Sequence, residues 1–300
     1  MSMPRTIPEY LEQLRAALRG ADPALIQDAL YDAEDHLRSE LAENSGKSEA
    51  EVLAKIATSY GAPEEVAEIY VDKEHQVQQA LRPPPLRPRS SALGRFFGIA
   101  ADPRAYASLF YMLLSLATGV FYFTWAVTGI SLSIGLSILI FGIAFVVMFF
   151  GTVRVLSLVE GRIIEVMLGE RMPRRPLYAN TAKPLRTRIK EMFTDPRTWS
   201  TLFYMVLMLP LGIVYFTVAV TGIALSLGLM AAPVVQLLAH YDVIGGYIQF
   251  DGDTIVPPLI LTPVVFLIGV CLLFAMLHLA RGVGRVQGAL AKRLLVKSAA

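Results

Sequence analysis

With 300 residues, 54 % of them hydrophobic, and a mean hydropathy of +0.52, the chain is too apolar for an ordinary water-soluble domain. Its formal net charge of +2 conceals two opposed parts: residues 1–80 carry seven Lys/Arg against sixteen Asp/Glu, whereas residues 81–300 carry twenty against nine. The single cysteine, Cys271, excludes a disulfide framework or a Cys-rich zinc site within one chain.

The acidic front part, residues 1–80, reads as a bundle of short helices. Thr6 and Glu9 form a capping box ahead of Tyr10, Leu11, Leu14 and Leu18, which predicts a helix over about 8–19, stopped by Gly20. Asp22-Pro23 supplies an N-cap and a first-turn proline for a second helix reaching about Glu43, with Leu25, Ile26, Ala29, Leu30, Ala33 and Leu37 on one stripe. Ser48 and Glu51 repeat the box before Val52, Ile56 and Tyr60, and Pro63 opens a fourth helix after Gly61. Asp28, Asp32 and Asp35 on the second helix are the expected partner-binding acids. Glu34, Asp35 and His36 point about 100° apart around the same helix, so they do not converge on one ion. They read as a solvated face, and no metal or cofactor is expected.

A Pro/Arg-rich linker, residues 81–94, contains RPPPLRPR at 82–89, an extended and semi-rigid composition. Ser91–Ala101 reads as a short interfacial helix. No secretory signal opens the chain, so membrane insertion is expected to begin near residue 105.

The rest is dominated by an internal repeat. DPRAYASLFYMLLSLATGVFYFTWAVTGISLSIGL at 102–136 and DPRTWSTLFYMVLMLPLGIVYFTVAVTGIALSLGL at 195–229 are identical at 22 of 35 positions, with a constant offset of 93. Ala105–Val153 holds no charged side chain over 49 residues, which suits two spans of ~20 residues each. The small residues at Thr128-Gly129 and beyond predict a turn there, with helices at about 106–128 and 134–156. Gly119, Gly129, Gly135, Gly212, Gly222 and Gly228 are the candidate repeat-packing positions, and Ser131-x-x-x-Gly135 and Ala224-x-x-x-Gly228 are the expected close approaches.

Residues 95–160 therefore form a first two-span module, 161–194 a basic connector, and 195–300 a second two-span module with an insertion at about 233–263. Helices are expected at about 199–221, with a kink near Pro210, and at 259–281. Tyr247–Phe250, Asp251-Gly252 and Asp253–Val256 read as a β-hairpin with a type I′ turn. With four spans, all twenty Lys/Arg after residue 80 fall on one side, and only Asp242, Asp251 and Asp253 on the other. The positive-inside rule makes the basic side cytoplasmic, places both termini there, and leaves 222–240 as a re-entrant or surface-lying piece. The fold class is an all-α membrane protein: an N-terminal cytoplasmic helical bundle, then a four-span bundle of two parallel-oriented repeats with a small outer β-hairpin.

Two family resemblances follow from these blocks. EYLEQLRAAL, DALYDAEDHLRSEL and GKSEAEVLAKIATSYGAPEEVAEIY, over about residues 7–71, resemble the HAAS-type signalling domain. That resemblance implies a regulatory module of the kind found near PadR-type transcription regulators, with no catalytic residues. The duplicated stretch, the insertion and the closing LARGVGRVQGALAKRLL, over about 95–296, resemble the bacterial four-helix sensor domain, which is commonly joined to histidine kinases or other output modules.

The charge-free spans offer neither a catalytic cluster nor mid-membrane ionisable groups, and there is no phosphate loop or His-Glu-x-x-His. The expected function is a non-enzymatic sensor of the bacterial inner membrane that couples a membrane domain to a cytoplasmic signalling partner, a PadR-type regulator or a kinase. Direct nucleic-acid binding is not expected; contact with membrane lipids is, and self-association is compatible with the small-residue stripes. The alternative is a transporter or permease-accessory subunit. The expected ligand residues lie on the outer face: His240, Tyr241, Asp242, Gln249, Phe250, Asp251 and Asp253. The −9 front part is expected to dock on the basic 160–198 segment.

Overall fold

Short-range capping chemistry decides where the N-terminal helices begin in the computed structural model, which describes residues 4–44, 46, 48–81, 91–138, 140–175, 187, 190, 193–241, 248–250, 253–255 and 261–296. Helix α1 (Ile7–Ala17) follows Thr6, whose hydroxyl accepts the Glu9 N–H at 3.3 Å. Helix α2 (Pro23–Glu43) follows Asp22, whose carboxylate accepts the Ala24 N–H at 2.9 Å. Helix α3 (Glu49–Ser59) carries the complete Ser48/Glu51 capping box, and α4 (Pro63–Leu81) starts two residues after Gly61. Gly20 and Gly61 adopt φ of 94° and 112°, left-handed values that strain any side chain, so each ends its helix. The apolar stripes meet in one core containing Tyr10, Leu14, Leu18, Ala29, Leu37 and Ile56. Burying a large aliphatic side chain of this kind stabilises by about 1.5–3 kcal/mol. The Tyr10 hydroxyl is satisfied by the Gly61 carbonyl at 2.9 Å, which also positions the α3–α4 turn. His36 stacks on Tyr60 at 4.4 Å, and Glu34 pairs with Arg38. The RPPPLRPR segment lies outside the described residues.

Helix α5 (Ala92–Gly98), capped by Ser91 and extended by a 3₁₀ turn over Ile99–Ala101, lays Phe96 and Phe97 against Phe274 at 6.0 and 4.8 Å. Four helices follow that are long and apolar enough to cross a membrane: α6 (Pro103–Leu136), α7 (Ile140–Leu168), α8 (Pro196–His240) and α9 (Thr262–Leu295). The chain is thus a helical membrane protein.

The long helices correct two expectations. No turn occurs at Thr128-Gly129; α6 runs through it to Leu136. Residues 222–240 are no separate re-entrant piece either, but are the last part of α8, which runs on through Pro233. A helical glycine costs about 1 kcal/mol, less than leaving backbone groups unpaired in a hydrocarbon setting, so Gly129 and Gly222 remain helical. Both serve packing instead. A Cβ on Gly129 would lie 1.9 Å from the Phe149 ring, and one on Gly222 would lie 2.6 Å from Met276 Sδ.

Equivalent positions of the two copies make equivalent local contacts. Asp102 Oδ1 accepts the Arg104 N–H at 3.0 Å, and Asp195 Oδ1 accepts the Arg197 N–H at 3.1 Å. Six residues back along the chain, Tyr106 donates to the Ala100 carbonyl at 3.0 Å and Trp199 to the Phe193 carbonyl at 2.9 Å. Aromatic side chains with one wet end suit a membrane–water boundary.

The chain divides into two compact units, one of Met1–Pro85, Trp125–Val206 and Gly288–Ala300, the other of Leu86–Thr124 and Leu207–Gln287. In the second unit, Met112, Ala219, Met276 and Ala280 form the core, with Leu109, Leu113, Tyr215 and Val283 around it. Gly119 and Gly212 are its close approaches: a Cβ on either would lie 2.4 Å from the Met208 carbonyl oxygen or 2.3 Å from that of Ser115, respectively. Gly135 and Gly228 have no described atom within 4 Å of that position, which corrects the expectation of a close approach there. The contact lies one set of turns earlier, where Ser115-x-x-x-Gly119 and Met208-x-x-x-Gly212 cross. Strands β1 (Ile248–Phe250) and β2 (Asp253–Ile255) pair antiparallel, with Gln249 opposite Thr254 and Phe250 opposite Asp253.

Candidate functional site

The first unit gathers a charged cluster around α2. On that helix Asp28, Asp32 and Asp35 sit at i, i+4 and i+7, so they rise along one side. Their surroundings differ sharply. Asp28 is buried at 5 % exposure, Asp32 is half-buried and Asp35 is exposed.

What buries Asp28 is the chain's own connector. Helix α7 ends at Leu168, and Gly169, at φ 78°, turns the backbone and returns its N–H to the Ile164 carbonyl at 3.2 Å. Met172 then packs against Gly161, where a Cβ would lie 3.3 Å from Met172 Cβ. This fold-back aims the next two backbone N–H groups at α2: those of Arg174 and Arg175 donate to Asp28 Oδ1 at 2.7 and 2.8 Å. Arg171 Nη2 donates to Asp28 Oδ2 at 2.7 Å.

Arg171 is the hub of the cluster. Its Nε lies 3.0 Å from Glu74 Oε1 of α4, a Coulombic contact in which the N–H points off the oxygen. Its Nη1 lies 3.6 Å from Glu165 Oε1 and donates to the Met172 carbonyl. Arg174 Nη2 reaches the same Glu165 oxygen at 2.9 Å, and Arg175 Nε reaches Asp32 at 3.0 Å. The side chains of Arg171, Asp28 and Glu74 are each about nine-tenths buried. Burial pushes the Asp28 carboxyl above its ordinary value, opposed by the Arg175 N–H, the Arg171 charge and the Arg174 N–H.

Three further bonds join the start of α2 to the connector and to the long helices α8 and α9. Gln27 donates to the Arg175 carbonyl at 2.8 Å and accepts from Arg197 Nη1 at 2.8 Å. Asp22, whose other oxygen caps α2, pairs with Lys292 of α9 at 2.6 Å. Gly288 leaves room for the Glu170 side chain, which a Cβ there would meet at 2.5 Å.

Two of the three predicted partner-binding acids, Asp28 and Asp32, are therefore paired within the chain, while Asp35 is exposed. Of the predicted ligand residues, His240 and Tyr241 are exposed at the end of α8 and stack edge to face at 5.5 Å. Gln249, Phe250 and Asp253 lie on the two strands, while Asp242 and Asp251 fall outside the described residues. His278 stacks on Phe96 at 5.4 Å and meets its carbonyl at 3.0 Å. Among the described residues no group of three His, Cys, Asp or Glu is placed to hold a metal ion.

Sequence reasoning missed two polar groups inside the helices. Glu160 is buried and accepts from the Tyr204 hydroxyl at 2.8 Å. Gln287, fully buried on α9, accepts from Tyr215 at 3.1 Å and donates to Tyr111 at 3.3 Å. The signal was present: Gln287 interrupts the apolar face of a helix whose Gly288 neighbour already marks a tight contact.

Residues 111–295 match the family described as "Putative sensor", and residues 9–69 match HAAS. The first match covers more than half of the chain, so this protein belongs to that sensor family, with a HAAS domain in front. Neither is an enzyme family. No curated protein and no solved structure matches the chain.

Proposed function

We propose that this protein is a sensor of the bacterial inner membrane whose four-helix domain controls how tightly the HAAS domain is held. The carrying observation is that Asp28, a HAAS carboxylate, is fully engaged by Arg171 and by the backbone of residues 174 and 175. The −9 front domain thus has a cation-lined seat in its own chain, and an ionic seat of this kind has two alternatives, held and released. In the held state Asp28 and Asp32 are withheld from any other partner; release presents them.

The basic connector and C-terminal segments favour a cytoplasmic placement for the HAAS domain and both termini, and the 248–255 ribbon then lies on the outer face with His240 and Tyr241. The partner is a cytoplasmic regulator of the PadR type or a kinase, as HAAS relatives suggest. The test uses the full chain in membranes, wild type against Arg171→Met. Faster hydrogen exchange across residues 23–43 and greater capture of a cytoplasmic partner are expected from the variant. Unchanged exchange and capture would remove the reading, and solute flux in proteoliposomes of the chain alone would favour a permease instead.

A further inference from the structure

A second set of cations in the same unit outnumbers the carboxylates beside it among the described residues. Arg154 is the first charge after the 49-residue uncharged run, and Arg197 stands in the first turn of α8. Both line one half-open cleft, together with Ser157, Asp195, Thr198 and Thr201. The cleft's volume is about 20 Å³, enough to admit water-sized groups.

Asp195 is the one acid among these lining residues, and one of its oxygens is already taken by the Arg197 backbone N–H. Among the described residues, two guanidinium groups therefore share this cleft with one carboxylate. Thr198 is 4 % exposed, and its hydroxyl has no hydrogen-bond partner. Buried hydroxyls are nearly always satisfied, so this one marks a position where an acceptor belongs. The first copy of the repeat has no such vacancy: Ala105 stands where Thr198 does, and Asp102 is paired with Arg281 at 3.2 Å.

We propose that this cleft binds a phosphate group. Phosphate offers several acceptor oxygens, each about the size of the water that the cleft admits, and it matches guanidinium forks and a hydroxyl donor together. The two arginines bracket the boundary of the apolar stretches, the depth at which lipid phosphates lie, and Val153 and Leu158 give the cleft an apolar wall. Arg197 is also the residue that donates to Gln27 on α2. A phosphate on Arg197 competes with that bond, so the ligand and the HAAS domain draw on one cation. The binding itself does not depend on the sensor reading, and no output is measured in its test.

Native mass spectrometry of the full chain in detergent, offered phosphatidylglycerol or phosphatidylcholine, tests the site, with soluble glycerol phosphate as competitor. The wild type should retain phosphatidylglycerol over phosphatidylcholine, whose own cation the arginines repel. Arg154→Gln and Arg197→Gln should each weaken retention about tenfold or more, as loss of a charge-assisted hydrogen bond does. The isosteric Thr198→Val should weaken it about severalfold while Thr198→Ser preserves it. Arg162→Gln, an exposed arginine paired with Glu165, should change nothing. Displacement by millimolar glycerol phosphate would assign a soluble source, and its failure a lipid one. Equal retention of both lipids, or full retention by folded Arg154→Gln, Arg197→Gln and Thr198→Val, overturns the proposal.

Discussion

Gly119 and Gly212 hold equivalent places in the two copies of the repeat, and each backs onto the partner copy's carbonyl four residues upstream of the other. The Cβ position of Gly119 lies 2.4 Å from Met208 O, and that of Gly212 lies 2.3 Å from Ser115 O. The two contacts interchange when the copies are exchanged, as in an isologous interface within one chain. Both neighbours are backbone, which cannot swing aside.

Alanine at either glycine should therefore lower the melting temperature of the purified chain, at the ~1–3 kcal/mol typical of overpacking. Gly135→Ala and Gly228→Ala, with open space around them, should be neutral or stabilise by up to ~1 kcal/mol through helix propensity. Equal effects at all four positions would contradict the close approach.

Arg171→Met should destabilise the seated HAAS domain by about 3–5 kcal/mol, because Asp28, Glu74 and Glu165 lose a shared buried cation. Asp28→Asn should cost a similar amount, and the double variant less than the sum, since both remove one network. Arg38→Ala, which breaks a more exposed i,i+4 pair with Glu34, should cost only ~0.3–0.5 kcal/mol. Chemical denaturation of the four variants measures the contrast.

The pH dependence of Asp28 has a definite sign. Burial raises its folded value above the ordinary 3.8, so the folded chain binds this proton more readily than the unfolded chain does. Its favourable contribution is fully present below 3.8 and is lost as pH rises through the folded value. Arg171 pulls that value down, so Arg171→Met should move it further up. Infrared titration of the carboxyl, with Asp28→Asn as the blank, reads the shift; a fall contradicts the assignment.

Gln287→Leu should destabilise the chain by about 0.6–1.7 kcal/mol, the range for hydrogen bonds between membrane helices. Tyr215→Phe, removing the donor to Gln287 Oε1, should cost no more than that. Thermal melts in detergent decide it.

Local chemistry was the legible part of this fold. The caps at Thr6, Asp22 and Ser48 act within three residues, and the structure keeps all three. Four apolar helices were also readable, because charge placement is a one-dimensional signal. The turn at Gly129 was misread because small residues mark turns in water, whereas in a membrane helix they mark contact with Phe149. Asp28 was legible as a partner-binding acid on an acidic helix, but its burial was not. Its burial depends on a fold-back at Gly169 more than a hundred residues away, which no local pattern encodes.

Helix α8 is one uninterrupted 45-residue element, about 67 Å from end to end, more than twice the ~30 Å of a hydrocarbon core. Its first turn grips Gln27 through Arg197, and its last residue is the exposed His240. Pro210 and Pro233 each remove one backbone hydrogen bond, so they are the two points at which the ladder of this long helix is weakest.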